Sequence, residues 1–145
     1  VGAYGLWEDI ESELLPRQAV IEDGSAISIP RSFDGHFHLT LQINDVPVDF
    51  LVDTGATDIV LTIEDARRIG LDPSELAFIG RARTANGDVR TAFANLDTVQ
   101  LGPFSHQNIP ASINEGEMPG SLLGMRYLRL FDRIEISGDQ MTLEP

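Results

Sequence analysis

The residue with the clearest chemical potential is Asp53, which begins the sequence Asp-Thr-Gly-Ala at positions 53–56. The alternating apolar run before it predicts a strand, and a second apolar strand is predicted at 59–61. A carboxyl group held on a short loop between two strands can transfer protons or orient a water molecule. The ordinary alternative is an aspartate that only caps the loop, because Asp is a common turn residue.

Two further motifs lie downstream of this loop. Asn86-Gly87 is a strong hairpin signal, and Leu122-Leu123-Gly124 is an apolar pair followed by a glycine that opens a short predicted helix. Each motif also has an ordinary interpretation, the first as a hairpin turn and the second as part of the core.

Histidine is the next residue type that could do chemistry. His36 and His38 share one face of a predicted strand, and a His-x-His pair can bind metal. His106 lies elsewhere and no third ligand is evident. We therefore interpret the pair as exposed strand residues and expect neither a metal nor a cofactor.

Composition narrows the class of protein. The 145 residues fit one domain, and 42% hydrophobic residues can build one core. With no cysteine, a disulfide scaffold and a thiolate nucleophile are excluded. A net charge of −13 disfavours nucleic acid as a partner. The sequence has no apolar run of the roughly 18 residues that span a bilayer.

The hydrophobic pattern predicts a mainly β domain at residues 19–145. Strands are predicted at 37–43, 47–52, 59–61, 77–84, 88–96, 98–101, 105–113, 133–137 and 140–143, with short helices at 63–69 and after Gly124. Residues 1–18 are predicted to form a linker or short helix, since Leu6, Trp7, Ile10 and Leu14 have helical spacing. The alternative is a segment that docks on the domain or gates it.

This order of motifs resembles the retropepsin-like aspartic proteases. Asp-Thr-Gly-Ala, then a hairpin flap, then apolar-apolar-Gly before a short helix is the order of that family. Finer features are similar to its bacterial membrane-linked members, namely residues 34–37 (Asp-Gly-His-Phe), 84–87 (Thr-Ala-Asn-Gly) and 121–125 (Ser-Leu-Leu-Gly-Met). The resemblance covers about residues 29–143 and implies a closed acid-protease barrel with a flap.

The resemblance implies a peptide hydrolase that works as a homodimer. Two carboxyls about 3 Å apart share one proton, because like charges that close do not both ionise easily. One can then activate a water molecule while the other supplies a proton. The chain has one Asp-[Ser/Thr]-Gly sequence, so each of two copies would contribute Asp53 at a twofold axis.

The family also implies roles for the neighbouring residues. Thr54 would hydrogen-bond across the dimer, Gly55 would let the substrate backbone approach, and Ala56 would line the cleft. Residues 84–88 would close over an extended polypeptide substrate as a flap. The flap residues are Thr84, Ala85, Asn86, Gly87 and Asp88, and Leu122, Leu123 and Gly124 would pack under the loop at the substrate cleft.

Two positions depart from the viral members of the family. Those members have an acid immediately after Asp-Thr-Gly-Ala and an arginine immediately after apolar-apolar-Gly, and the two groups pair near the dimer interface. Here the positions hold Thr57 and Met125, and Asp58 or Arg126 is the candidate substitute.

Other functions and the location stay open from the sequence. A domain of the same fold could bind peptides without cutting them, although the intact Asp53 motif favours catalysis. A phosphotransferase would need phosphate-binding glycines or a basic cluster, and no Walker-type loop is present. The bacterial resemblance implies the periplasmic side of the inner membrane, with an N-terminal anchor outside this chain.

Overall fold

The computed structural model describes residues 19–20, 26–84 and 87–145, and a closed β-barrel forms their centre. The barrel strands are β3 (His38–Ile43), β4 (Val46–Val52), β5 (Ile59–Thr62), β7 (Gly87–Leu101), β8 (Phe104–Asn114) and β9 (Ser121–Leu123). The order round the ring is β3-β4-β9-β5-β8-β7, and a short β7–β3 pairing closes it. Closure leaves the ring without a free edge, as predicted for an acid-protease barrel.

The core lies inside the barrel and follows the predicted alternation. Leu39, Leu41 and Ile43 of β3 are buried, as are the inward residues of β4. The turn between these strands has positive φ at Asn44 (49°) and Asp45 (67°), which Asn and Asp tolerate better than most residues. The predicted inward face of the first hairpin is therefore confirmed.

A second sheet packs the chain ends together. Its antiparallel order is β1 (Ala19–Val20), β2 (Ile27–Pro30), β11 (Gln140–Glu144) and β10 (Arg133–Ser137). The strands predicted at 133–137 and 140–143 are confirmed, and they pair as a hairpin. β2 was not predicted, although Ile27 and Ile29 are both fully buried.

The helices are short and end where local signals predict. Helix α1 (Ile63–Arg68) starts at Thr62, whose hydroxyl accepts a hydrogen bond from the Asp65 amide. Gly70 follows it with φ of 99°, as a C-terminal glycine should. Helix α2 (Met125–Leu128) is only four residues long, and a 3₁₀ turn covers Pro73–Glu75.

Three of the predicted strands differ from the structure. β7 is one continuous strand through Asp97, where two strands were predicted, because pairing with β8 continues on both sides of that residue. β6 (Gly80–Thr84) is shorter than predicted and pairs with β7 outside the ring.

No helix within the described residues is long and apolar enough to cross a membrane. The predicted linker or helix at 1–18 lies outside the described residues, so the division of the chain at residue 19 stays a prediction.

Candidate active site

Asp53 lies immediately after β4, on a loop that its own hydrogen bonds hold tightly. We call residues 53–58 the Asp53 loop. The amide of Gly55 donates to Asp53 Oδ1 at 2.9 Å, and the amide of Ala56 donates to the Asp53 carbonyl at 3.0 Å. The carboxyl group is half-buried, so it is oriented by the loop yet open to solvent on one side.

The Asp53 loop rests on the segment that links β9 to α2. The amide of Asp53 donates to the Leu123 carbonyl at 3.0 Å. The amides of Met125 and Arg126 donate to the carbonyls of Ala56 (2.9 Å) and Thr57 (2.8 Å). Three backbone hydrogen bonds therefore fix the loop from below, and the predicted packing of residues 122–124 under the loop is the observed arrangement.

Gly124 is at the closest point of this contact. A Cβ at this position would overlap the Asp58 carbonyl and would lie 2.7 Å from the carbonyl carbon and oxygen of Thr57. Gly124 and Leu123 are buried, whereas Leu122 is half-exposed. Of these three residues, Leu122 alone has a side chain that a substrate can reach, because the other two face the loop and the core.

An ion pair links the Asp53 loop to α2 at the side. Arg126 Nε lies 3.0 Å from Asp58 Oδ1, although the direction of the N–H bond does not make a hydrogen bond to that buried oxygen. We regard the contact as an ion pair without a hydrogen bond, because a guanidinium and a carboxylate of opposite charge lie a short distance apart. Thr57 and Met125 occupy the positions that hold the acid and the arginine in the viral members. In this chain the acid, Asp58, and the arginine, Arg126, each lie one residue later.

The outer face of the sheet next to Asp53 carries an apolar row that the sequence analysis did not assign. Leu51, Leu122 and Val60 are cross-strand neighbours on β4, β9 and β5, and all three are half-exposed. The residues on either side of Leu51 point inward and are buried. The row is a surface on which apolar side chains of a ligand can pack beside the carboxyl.

The β6–β7 hairpin occupies the place predicted for a flap. Thr84 pairs with Gly87, which has φ of 109°, and the Thr84 hydroxyl donates to the Gly87 carbonyl at 2.8 Å. Ala85 and Asn86 lie outside the described residues, and Asp88 is exposed beside them. Strand pairing resumes at Gly87, so a hairpin forms where the Asn86-Gly87 signal predicts one.

A buried polar contact secures the far end of β9. Ser121, 1% exposed, donates from its hydroxyl to Asp65 Oδ2 at 2.6 Å and accepts from the Thr62 amide at 3.1 Å. These bonds join β9, β5 and α1, and so fix the strand that supports the Asp53 loop. Sequence reasoning missed this contact, because Ser121 is more than 50 residues away from Thr62 and Asp65 along the chain.

His36 and His38 both contact Asp34, whereas His106 lies in a different part of the structure. His38 Nε2 lies 2.7 Å from Asp34 Oδ2, and exposed His36 donates its amide to Asp34 Oδ1. His106 packs against Tyr127, whose hydroxyl lies 3.3 Å from His106 Nδ1. Partial burial lowers the pKa of His106, and deeper burial raises the pKa of the Tyr127 phenol.

The closed barrel and the Asp53 loop define the class of protein. Residues 39–130, well over half of the chain, match the family described as "gag-polyprotein putative aspartyl protease". The chain therefore belongs to the retropepsin-like aspartic proteases.

Solved structures have the same fold. A retropepsin-like aspartic protease from Rickettsia conorii is 36% identical, with a TM-score of 0.77 over 89% of this chain and 94% of that one. The EIAV protease in complex with the inhibitor HBY-793 is 20% identical, with a TM-score of 0.59 over 72% of this chain and 96% of that one. The retroviral protease-like domain of Ddi1 from Leishmania major is 20% identical, with a TM-score of 0.53 over 69% of this chain and 79% of that one. The last two show the fold alone.

Curated relatives are longer than this chain. An uncharacterized protein from the cobV 5′ region of Sinorhizobium sp. is 36% identical over 90% of this chain and 58% of its own length. An uncharacterized protein of Rickettsia prowazekii is 38% identical over 91% of this chain and 57% of its own length. The chain thus spans less than two thirds of these relatives.

Proposed function

We propose that this protein is an aspartic endopeptidase that acts as a homodimer, with one Asp53 from each copy at the twofold axis. The observation that carries the proposal is the Asp53 loop itself. The loop presents a half-exposed carboxyl whose Oδ1 is held by the Gly55 amide, on a backbone fixed from below by β9 and α2. Pre-organisation of this kind is what a reacting carboxyl needs.

The reaction follows from two such carboxyls sharing one proton. The ionised carboxylate accepts a proton from water as the water oxygen attacks the carbonyl carbon of the peptide bond. The protonated carboxyl donates to the carbonyl oxygen, so the tetrahedral intermediate is neutral. A hydroxyl of the intermediate then returns its proton to the carboxyl that donated it. At the same time the other carboxyl transfers the proton that it took from water to the amine nitrogen. The C–N bond breaks, and the two carboxyls again share one proton.

The surroundings of Asp53 suit an extended polypeptide substrate. The apolar row of Leu51, Leu122 and Val60 would contact substrate side chains next to the scissile bond. The β6–β7 hairpin would close over the chain and bind its backbone as an added strand. Thr54, exposed on the loop, would hydrogen-bond to the partner copy, and Ala56 would line the cleft.

Cleavage of a peptide library tests the proposal. Wild type should cut peptides with a rate maximum at acidic to near-neutral pH, and Asp53→Asn should abolish cleavage while the fold and dimer remain. Asp49→Asn is the matched control, because Asp49 is an exposed aspartate on the strand that leads into the loop. Retention of more than a few per cent of activity by Asp53→Asn would contradict the proposal. Peptide binding without cleavage by the wild type would indicate the non-catalytic alternative.

A further inference from the structure

A cavity of about 310 Å³ lies against the Asp53 loop. Residues 54–57 form one wall, and Met125, Arg126 and Arg129 form the other. We call it the arginine cavity, because both of its charged lining residues are arginines in a chain of net charge −13. Arg126 is partly neutralised by Asp58, whereas Arg129 is exposed and has no ion pair with any residue that the structure describes. The cavity is therefore a local cationic site on an acidic protein.

A protruding turn at residues 32–36, the Asp34 turn, has the complementary character. Phe33 is 83% exposed at its tip, the highest value for a phenylalanine among the described residues, and Asp34 beside it carries a negative charge. A single exposed apolar side chain is ordinary on a monomer. Here it stands next to an exposed carboxylate, so the turn offers an apolar and an anionic group together.

The Asp34 turn is braced from behind. The Arg31 guanidinium donates to the carbonyls of Gly35 (2.8 Å) and Gly138 (2.9 Å) and stacks 4.6 Å from the centre of the Phe37 ring. Two backbone hydrogen bonds within the turn, from Ser32 and Gly35, add to this support. A turn held in one shape loses little conformational entropy on binding, which favours an interface role.

Both features adjoin Asp53. The Val52 amide, one residue before Asp53, donates to the carbonyl of Phe37 at 2.9 Å, so the Asp34 turn ends beside the end of β4. The arginine cavity starts one residue after Asp53, at Thr54. If the two Asp53 residues meet at a twofold axis, the turn of one copy and the cavity of the other are both close to that axis.

We propose that the Asp34 turn of each copy inserts into the arginine cavity of its partner and holds the two Asp53 loops together. The inference rests on the proposed homodimer and names the contact that assembles its active site. Phe33 would pack on Met125, and the Asp34 carboxylate would face Arg129 and Arg126. Twofold symmetry makes the contact reciprocal, so each dimer contains it twice.

Asp34 accepts hydrogen bonds within its own turn region that favour its charged form. The hydrogen bond from the His36 amide, followed by that from the His38 ring, lowers the pKa of Asp34 below its ordinary value. Asp34 thus keeps its charge to a lower pH than an ordinary aspartate, and arginine stays cationic throughout. The contact replaces the viral acid–arginine arrangement at Thr57 and Met125, both of which line the cavity.

Sedimentation equilibrium of the 145-residue chain tests the contact independently of catalysis. Phe33→Ser, Asp34→Arg and Arg129→Glu should each raise the dimer dissociation constant by about tenfold or more, because each change removes two contacts per dimer. The double variant Asp34→Arg with Arg129→Glu should recover most of the loss, since the charges are exchanged across the same contact. Arg67→Glu is the control, because Arg67 is exposed on α1, also without an ion pair among the described residues, and lies outside the cavity. It should leave the dissociation constant within about twofold of wild type.

The outcomes separate this inference from the proposed function. Unchanged dimerisation in Phe33→Ser and Arg129→Glu, or failure of the double variant to recover, would overturn the contact even if peptides are cut. A wild type that remains monomeric at all concentrations would also overturn it. Weakened dimers and rescue in a protein that cuts no peptide would support the contact and contradict the protease proposal.

Discussion

The backbone of Gly124 lies directly against the carbonyl of Asp58, with no room between them for a side chain. This contact joins the second half of the Asp53 loop to the start of α2, where the amides of Met125 and Arg126 also bind the loop. The orientation of the Asp53 carboxyl therefore depends on a glycine more than 60 residues away in the chain.

Gly124→Ala should displace the Asp53 loop. The added methyl group collides with backbone atoms that cannot rotate away, so we expect a loss of at least about 2 kcal/mol in the free energy of unfolding and a large loss of activity. Denaturant unfolding and peptide cleavage measure the two effects. Gly120→Ala is the control, because a Cβ at Gly120 meets nothing within 4 Å. Equal stability and activity of the two variants would contradict the role of Gly124.

Gly87→Val should impair the β6–β7 hairpin without unfolding the domain. Valine is strained at φ of 109°, and β6, the first strand of the hairpin, lies outside the barrel ring. We expect kcat/KM to fall by about tenfold or more if the hairpin closes on substrate, with a small change in the unfolding midpoint. Gly70→Val is the control, because Gly70 also has positive φ (99°) but lies after the end of α1, outside the hairpin. Unchanged kinetics in Gly87→Val would show that this hairpin is not the flap.

His106 should make the domain less stable as the pH falls below neutrality. Burial lowers its pKa from the ordinary value of 6.5, so between that value and the folded-state pKa the unfolded chain binds a proton that the folded protein does not. Stability therefore rises with pH across this window and is lost as pH falls through it. His106→Phe, which keeps the ring contacts with Tyr127 and Phe131, should flatten the dependence between pH 7 and about pH 5.

Urea unfolding over that pH range checks the prediction. Tyr127→Phe is the control, because it removes the hydroxyl near His106 and leaves the titrating ring in place. A slope that is the same in wild type and His106→Phe would mean that His106 contributes nothing to the acid sensitivity.

Sequence reasoning found the parts of the site that depend on local pattern. The strand before Asp53 alternates in period two, and the Asp-Thr-Gly-Ala loop and the Gly70 helix end have signals within a few residues. The missed parts depend on register between distant segments. The Ser121–Asp65 hydrogen bond exists only because β9 inserts between β4 and β5. Asp58 and Arg126 were each named as a candidate substitute for the viral pair, but that they pair with each other was not predicted.

Strand β2 was missed for a different reason. It is four residues long, and the alternation of Ile27 and Ile29 around a serine is too short to separate a strand from a loop. Pairing with β11 at the other end of the chain is what makes it a strand. The apolar row beside Asp53 was overlooked similarly, because Leu51 and Val60 become neighbours of Leu122 only through the sheet.

Subunit mixing tests most directly whether two copies build one active site from their Asp53 residues. Wild-type chains are mixed with increasing excess of Asp53→Asn chains, and subunit exchange is verified with labelled protein. We predict that activity falls as mutant chains are added, because a mixed dimer has only one competent carboxyl. In the same assay, activity per wild-type chain should fall on dilution below the dimer dissociation constant. If subunits exchange and activity still follows the concentration of wild-type chains alone, the shared-site account is contradicted.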